Sequence, residues 1–239
     1  MTRVDGRKAA EIRPIAVARG FSKNAAGSVL IEMGGTRVLC TASLSPTVPD
    51  FLVGKGKGWL TAEYNMLPGS TRPRKARDRS GKVDGRNVEI QRLIGRSLRN
   101  VARLDRLGEQ TLYLDCDVLD ADGGTRTASI TGAFVAAVDA LGPAAGDVFS
   151  DSVAAVSVGI VQGRAVCDLN YTEDSSAGVD MNLVLTGSGR FIEIQGCGET
   201  VSFDASELKE MIQLGVAGAD ALRNVQRAAL GDSWRWGAN

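Results

Sequence analysis

The stretch Asp122-Gly-Gly-Thr-Arg126 decides the fold, because it joins a segment with a strand pattern to one with a helix pattern. The preceding run, Thr111-Leu-Tyr-Leu-Asp-Cys-Asp-Val-Leu119, is typical of a β-strand. The following run, Ser129-Ile-Thr-Gly-Ala-Phe-Val-Ala-Ala-Val-Asp-Ala-Leu141, is typical of a helix. The sequence therefore predicts that the two glycines lie at a strand-to-helix junction.

A junction of this kind has the chemistry of an anion site. The first backbone N–H groups of a helix lack partners, and the helix dipole favours negative charge there. Gly123 and Gly124 allow the backbone to approach a ligand closely. Thr125 offers a hydroxyl group, and Arg126 offers a planar fork that matches phosphate oxygens. The same residues also fit a tight turn with an exposed arginine, and the spacing alone leaves both interpretations open.

The composition excludes several classes of catalysis. The 239 residues contain 28 Lys+Arg, 28 Asp+Glu and no histidine. Without histidine there is no Ser-His-Asp or Cys-His machinery and no imidazole metal site. Acid–base chemistry would fall to carboxylates, lysine or tyrosine. Because the net charge is zero, recognition of an anion must be local.

The cysteines and the N-terminal residues predict a cytoplasmic protein with reduced thiols. Four cysteines lie far apart, three of them in apolar runs, which predicts buried free thiols without a disulfide frame or zinc site. The polar first residues lack a signal-peptide core, and no apolar run is predicted to be long enough to span a membrane.

Two hairpins suggest an internal repeat. Residues 27–43 are predicted to turn at Gly34-Gly35, and residues 153–169 are predicted to turn near Gln162-Gly163. Each return strand carries an arginine followed by Val-x-Cys or Ala-Val-Cys. We therefore expect a single α+β domain over residues 1–239, made of pseudo-repeat halves at about 1–145 and 150–230.

Two long helices are predicted from apolar periodicity. Asn87 to Leu104 places its apolar residues on one face and an arginine stripe on the other, which favours a solvated face over a subunit or nucleic-acid contact. Arg86 is predicted to lie just before this helix, free to turn toward a site. A last helix from about Ala205 to Ala229 is capped by Asp204 and Glu207. The tail, residues 231–239, is expected to fray despite its two tryptophans.

Gly69 to Lys82 forms a basic loop without apolar anchors. Such loops are commonly just solvated, but this concentration of arginine in a neutral chain also fits a contact with a polyanion.

Two aspartates form a candidate catalytic pair. On one straight strand Asp174 and Asp180 would be roughly 20 Å apart. Ser175-Ser-Ala-Gly178 has turn chemistry, however, and a hairpin there would bring the carboxylates to ~5 Å from each other. Such a pair suits Mg²⁺ or one shared proton of raised pKa, while the alternative is an acidic turn that opens a strand.

Long ordered strings resemble the ribonuclease PH family of phosphate-dependent exoribonucleases. They are Gly58-Trp-Leu-Thr-Ala-Glu-Tyr-Asn-Met-Leu-Pro68, Gly85-Arg-Asn-Val-Glu-Ile-Gln-Arg-Leu-Ile-Gly-Arg-Ser-Leu-Arg99, Asp115 to Gly132 and Val179-Asp-Met-Asn182. The resemblance runs from Arg3-Val-Asp-Gly-Arg7 to the last helix. It implies two similar βα halves packed as one domain, a fold shared with a small-subunit ribosomal protein domain, and a ring of six subunits.

The implied activity is phosphorolytic 3′→5′ trimming of tRNA precursors. Inorganic phosphate attacks the terminal phosphodiester, and a nucleoside diphosphate leaves. By the family pattern, phosphate is held by Arg86, Gly124, Thr125 and Arg126. Asp174 and Asp180 are the catalytic carboxylates and the ligands of Mg²⁺, and Arg74 and Arg77 hold RNA.

The chain departs from the family pattern at Gly69, where a basic residue is frequent, and at Cys197-Gly-Glu-Thr200, where Thr-Ala-Glu-Gly is more usual. Three other functions remain as alternatives. A non-catalytic RNA-binding ring subunit would have lost the arginine or aspartate set. Polynucleotide phosphorylase would need a longer chain, and a P-loop kinase would need a G-x-x-x-x-G-K-[ST] string, which is not present.

Overall fold

The computed structural model describes residues 3–77 and 84–237. Over these residues the chain forms two sheets and three long helices, with three short helices between them. The strands are β1 (Ile15–Arg19), β2 (Gly27–Met33), β3 (Thr36–Ser45), β4 (Trp59–Met66), β5 (Thr111–Asp120), β6 (Val153–Val161), β7 (Arg164–Cys167), β8 (Val179–Thr186) and β9 (Phe191–Gly198). The helices are α1 (Gly85–Val101), α2 (Leu104–Leu107), α3 (Thr125–Leu141), α4 (Ala145–Val148), α5 (Tyr171–Asp174) and α6 (Ala205–Leu230).

The first sheet has the strand order β1-β2-β3-β5-β4, in which only β4 and β5 pair in parallel. The turn between β2 and β3 falls at Gly34-Gly35, which confirms the predicted hairpin. Helices α1 and α3 cover one face of this sheet. In α3, Gly132 lies so close to Ile31 and Cys40 that a methyl group would collide with both side chains.

The second sheet is antiparallel, with the order β7-β6-β8-β9. Its hairpin turns at Gln162-Gly163, with φ values of 51° and 74°, which confirms the second predicted turn. One face of the sheet packs against α6, where Gly215 and Gly218 lie against side chains of β8, β6 and β7. The alternate residues of β6 and β8 face the other way, toward the start of α3.

Helix α3 lies between the two sheets and contacts β2, β3 and β6. Contrary to the sequence expectation, residues Thr125–Val148 match a membrane span in length and hydropathy. Since 72% of the matching 18-residue stretch within this segment is buried inside the protein, the match describes a core helix.

Helix α1 differs from its prediction at both ends. It begins at Gly85 and ends at Val101, so Arg86 lies inside its first turn and Leu104 belongs to a separate short helix. Arg92, Arg96 and Arg103 of the predicted arginine stripe are exposed. Arg96 forms an ion pair with Glu193 of β9, and Arg103, beyond the helix end, donates to the carbonyl of Gly146. Arg99 is half-buried and stacks 4.9 Å from the centre of the Trp59 ring.

Helix α6 confirms the predicted capping by Asp204 and Glu207. The prediction of a frayed tail after this helix was wrong. Trp236 is 7% exposed, its ring lies 4.8 Å from that of Phe134, and its indole N–H donates to the carbonyl of Phe149. The tail up to residue 237 therefore closes one end of the core.

Candidate active site

The glycine turn (residues 122–126) connects β5 to α3, as predicted. Gly123 and Gly124 both adopt left-handed backbone conformations, with φ values of 75° and 64°. A Cβ atom on Gly123 would lie 2.6 Å from the carbonyl oxygen of Leu169, so only glycine fits there. Gly124 precedes the first residue of α3 without a side-chain cap, which leaves the helix N-terminus facing the space in front of it.

Buried polar groups hold the glycine turn in place. The hydroxyl of Thr36 donates to the Gly123 carbonyl at 2.6 Å and accepts from the Asp122 N–H at 2.9 Å. The Arg13 guanidinium donates to the Asp122 carbonyl and to both carboxylate oxygens of Asp168, at 2.7 and 2.9 Å. Arg13 is 3% and Asp168 0% exposed. A fully buried ion pair thus links the turn to the second sheet.

The same network positions α5. Glu173 in α5 accepts from the Arg3 guanidinium at 2.7 and 2.6 Å, and Arg7 approaches the same carboxylate at 3.4 Å. The Asp122 side chain accepts from the backbone N–H of Tyr171, the first residue of α5. The hydrogen bond between Asp122 and Tyr171 and the ion pair of Glu173 therefore fix α5 relative to the glycine turn.

A cavity of about 1180 Å³ opens in front of the glycine turn. It brings together all the predicted phosphate ligands and both aspartates: Arg86, Gly124, Thr125, Arg126, Asp174 and Asp180. Arg74 and Arg77 are exposed and do not line it, although their neighbours Arg72 and Lys75 do. Residues 78–82 of the predicted basic loop lie outside the described residues.

The two aspartates meet by a different route from the predicted hairpin. Asp174 is the last residue of the short helix α5, and a turn then leads into β8. Asp180, the second residue of β8, pairs across the sheet with Gly159 and Cys197 and not with the segment that carries Asp174. A helix end and a strand thus deliver the carboxylates to one cavity.

The two carboxylates are coupled electrostatically. Burial raises the pKa of Asp174, and the negative charge of Asp180 raises it further, while Arg86 and Arg126 act in the opposite direction. One carboxylate oxygen of Asp180, Oδ1, is buried with no hydrogen-bond partner within the described part of the chain.

These features fit a bound cation. An orphaned, buried carboxylate oxygen beside a second carboxylate is a suitable oxygen-donor pair for Mg²⁺. No group of three or more His, Cys, Asp or Glu side chains with metal-binding geometry occurs in residues 3–77 and 84–237. A cation here would therefore take further oxygens from water or substrate, as Mg²⁺ commonly does.

Arg126 is held at the cavity wall by side chains of strand β9 and helix α1. Its guanidinium donates to the side-chain oxygen of Gln195 in β9 at 3.0 Å and lies 3.4 Å from Glu89 in α1. Gln195 also donates to Glu89 at 3.0 Å, which closes a triangle. Arg86, exposed in the first turn of α1, lines the same cavity.

Sequence reasoning assigned no role to Tyr64, Arg13, Thr36 or Asp168. The Tyr64 hydroxyl lies 2.8 Å from the hydroxyl of Thr125, with the ring 4% exposed. Burial raises the pKa of Tyr64, and the charges of Arg86 and Arg126 oppose that shift. Tyr64 lay inside a string already quoted for its family resemblance, which was the signal available for it.

Known proteins match most of the chain. Family models described as "3′ exoribonuclease family, domain 1" and "domain 2" match residues 11–143 and 151–218. Ribonuclease PH of Rhodopirellula baltica is 54% identical over 231 residues, which cover 92% of this chain and 94% of that protein.

Two solved structures share the fold at low identity. Rice (Oryza sativa) Rrp46 superposes with a TM-score of 0.79 at 20% identity, covering 95% of this chain and 99% of that chain. An Archaeoglobus fulgidus exosome with RNA bound to the active site superposes with a TM-score of 0.78 at 21% identity, covering 93% and 92%. With an α+β architecture of two sheets separated by α3 and both family domains in order, the chain belongs to the ribonuclease PH family of 3′ exoribonucleases.

Proposed function

We propose that the protein is a phosphorolytic 3′→5′ exoribonuclease that trims 3′ extensions of tRNA precursors in the cytoplasm and releases nucleoside diphosphates. One observation carries this proposal: a single cavity brings together the N-terminus of α3, Arg86 and Arg126, and the carboxylates of Asp174 and Asp180. The helix N-terminus and the two arginines suit a phosphate, and the two carboxylates suit the charge and proton chemistry of phosphoryl transfer. The name of the Rhodopirellula baltica relative supports the same activity.

The chemical problem is the approach of two anions. Inorganic phosphate must attack an RNA phosphodiester that is itself negative. Arg86, Arg126 and the N–H groups of Gly124 and Thr125 offset this repulsion and align the nucleophile. Alignment of this kind contributes roughly 7–11 kcal/mol in ideal cases.

Asp174 and Asp180 would hold Mg²⁺, which when bound supplies positive charge beside the transferred phosphoryl group and the leaving 3′-oxygen. A carboxyl group of this cavity would deliver the proton to that oxygen. The triangle of Arg126, Gln195 and Glu89 orients the guanidinium before phosphate arrives.

RNA would reach the cavity past the loop that carries Arg74 and Arg77. Both side chains are exposed, next to the cavity-lining residues Arg72 and Lys75. We further propose that the protein assembles as a homohexameric ring. Two solved structures with the same fold, an archaeal exosome core and the Archaeoglobus fulgidus exosome with RNA bound to the active site, motivate both proposals.

The test is to incubate a 3′-extended tRNA with the protein, with and without inorganic phosphate, and identify the released nucleotides. Nucleoside diphosphates that appear only with phosphate are the expected result. Arg126→Ala should lower the rate by about 100-fold or more at low phosphate. Asp180→Asn should stop the chemical step while the protein stays folded. Arg227→Ala and Asp232→Asn, two exposed changes away from the cavity, serve as controls.

Monophosphates released in phosphate-free buffer would contradict the proposal, because they would report hydrolysis by water. Binding of RNA without any nucleotide release would instead indicate the alternative function, a non-catalytic ring subunit.

A further inference from the structure

We propose that Tyr64 is a positioning residue that directs the hydroxyl proton of Thr125 into the cavity, toward phosphate. The inference rests on the proposed phosphorolytic function and adds a residue to its phosphate site. Tyr64 lies on β4, opposite Cys116 of β5, so the strand pair that leads into the glycine turn also carries the tyrosine. Its hydroxyl lies 2.8 Å from the hydroxyl of Thr125, the first residue of α3.

The direction of this hydrogen bond follows from burial. Either oxygen could donate, but the Tyr64 side chain is 4% exposed, and Thr125 is the hydrogen-bond partner of its hydroxyl within the described residues. If Thr125 donated to Tyr64, the tyrosine proton would remain in the protein interior without an acceptor, which is unfavourable. Tyr64 therefore donates and Thr125 accepts.

This direction determines where the proton of the Thr125 hydroxyl can be donated. A hydroxyl group has one proton and two lone pairs. Once a lone pair of Thr125 accepts from Tyr64, its own proton remains to be donated, and Thr125 lines the cavity between Gly124 and Arg126. An anion bound at the N-terminus of α3 is the acceptor for that proton. Tyr64 thus acts on phosphate through Thr125 and does not contact it.

The protonation state of Tyr64 agrees with this role. Burial raises the pKa of its hydroxyl, so the group keeps its proton at neutral pH. The hydrogen bond with Thr125 opposes this rise in pKa, and so do the positive charges of Arg86 and Arg126, which line the cavity.

The experiment measures the phosphate KM and kcat of Tyr64→Phe during trimming of a 3′-extended tRNA. Loss of one oriented hydrogen bond should raise the phosphate KM by about fivefold to tenfold, with a smaller change in kcat. Tyr113→Phe is the matched control, because Tyr113 lies on the neighbouring strand β5 but is 41% exposed. A cooperative thermal transition near that of the wild type establishes that each variant is folded.

A double-mutant cycle tests whether the effect passes through Thr125. In the Thr125→Val background, which lacks the hydroxyl, adding Tyr64→Phe should change the phosphate KM no further. In the Thr125→Ser background, which keeps the hydroxyl, the fivefold to tenfold effect should return. Inorganic phosphate binding, measured by titration calorimetry without RNA, should follow the same pattern.

Three results would overturn the inference while leaving phosphorolysis intact: a wild-type phosphate KM in Tyr64→Phe, additive effects of Tyr64→Phe and Thr125→Val, or equal phosphate KM values for Thr125→Ser and Thr125→Val. The last comparison applies even if Tyr64→Phe does not fold. Failure of the wild-type protein to use phosphate at all would refute the proposed function itself.

Discussion

At the scale of single residues, the pKa of Asp174 in the cavity is set by groups that act in opposite directions. Asp174 carries a pKa raised by burial and by Asp180, yet Arg86, Arg126 and Arg13 all favour its ionised form. This balance means that small changes in local charge alter the protonation of Asp174 more readily than that of an isolated surface aspartate.

The raised pKa of Asp174 predicts a dependence of stability on pH. A carboxyl whose pKa is higher in the folded than in the unfolded protein favours folding at low pH, and this contribution is lost as pH rises through the folded pKa. In the metal-free protein at neutral pH, Asp174→Asn should therefore raise the melting temperature. The gain should shrink as pH falls through the raised pKa.

Thermal melts of the metal-free wild type and Asp174→Asn between pH 4 and neutrality would check this. Asp232→Asn, an exposed change in the tail, is the control and should show no such trend. If Asp174→Asn raised the melting temperature by the same amount over the whole pH range, the ionised Asp174 carboxylate would not be the group that destabilises the folded protein.

At the scale of elements, hairpins were easier to predict from sequence than short helices. Gly34 and Gly163 adopt left-handed backbone in these turns, with φ values of 57° and 74°, which glycine allows more readily than other residues. Helix α5 was missed because Ser175-Ser-Ala-Gly178 suggested a hairpin. The available signal was Asn170 with Glu173, the capping box that the structure shows.

The exposed loop with Arg74 and Arg77 should contribute to RNA affinity through charge alone. Arg74→Ala and Arg77→Ala are each expected to weaken RNA binding and to reduce the slope of log K against log salt by about 0.7, the value for one phosphate contact on a single strand. Binding titrations at several salt concentrations would measure this slope, with Arg227→Ala as control. An unchanged slope would mean that the loop is only solvated.

For the whole molecule, the sequence predicted which residues form the site but not what supports them. Arg86, Gly124 to Arg126 and both aspartates lie around one cavity, as the family resemblance implied, while their individual roles stay predictions. The support from Arg13 and Asp168 could not be predicted from local pattern. These residues lie 155 positions apart, and no periodicity or spacing rule joins them.

The packed tail predicts a global loss of stability on truncation of its tryptophan. Trp236 contacts Phe134 and Phe149 in the core, so Trp236→Ala should reduce the free energy of unfolding by about 3–5 kcal/mol. Trp234→Ala, at a partly buried position whose indole N–H lacks a partner in the described structure, should cost less. Urea denaturation would measure the free energy of unfolding of both variants. Equal small losses would mean that the tail is frayed after all.

The buried contacts of the first residues have a consequence for the order of events during synthesis. Arg3, Arg7 and Arg13 are translated before their carboxylate partners Asp168 and Glu173, which are added 155 to 170 residues later. A nascent chain therefore cannot form the contacts that hold its glycine turn until residues 168 and 173 have been translated. An interrupted product would lack a finished nuclease surface, and cellular RNA would be protected from it.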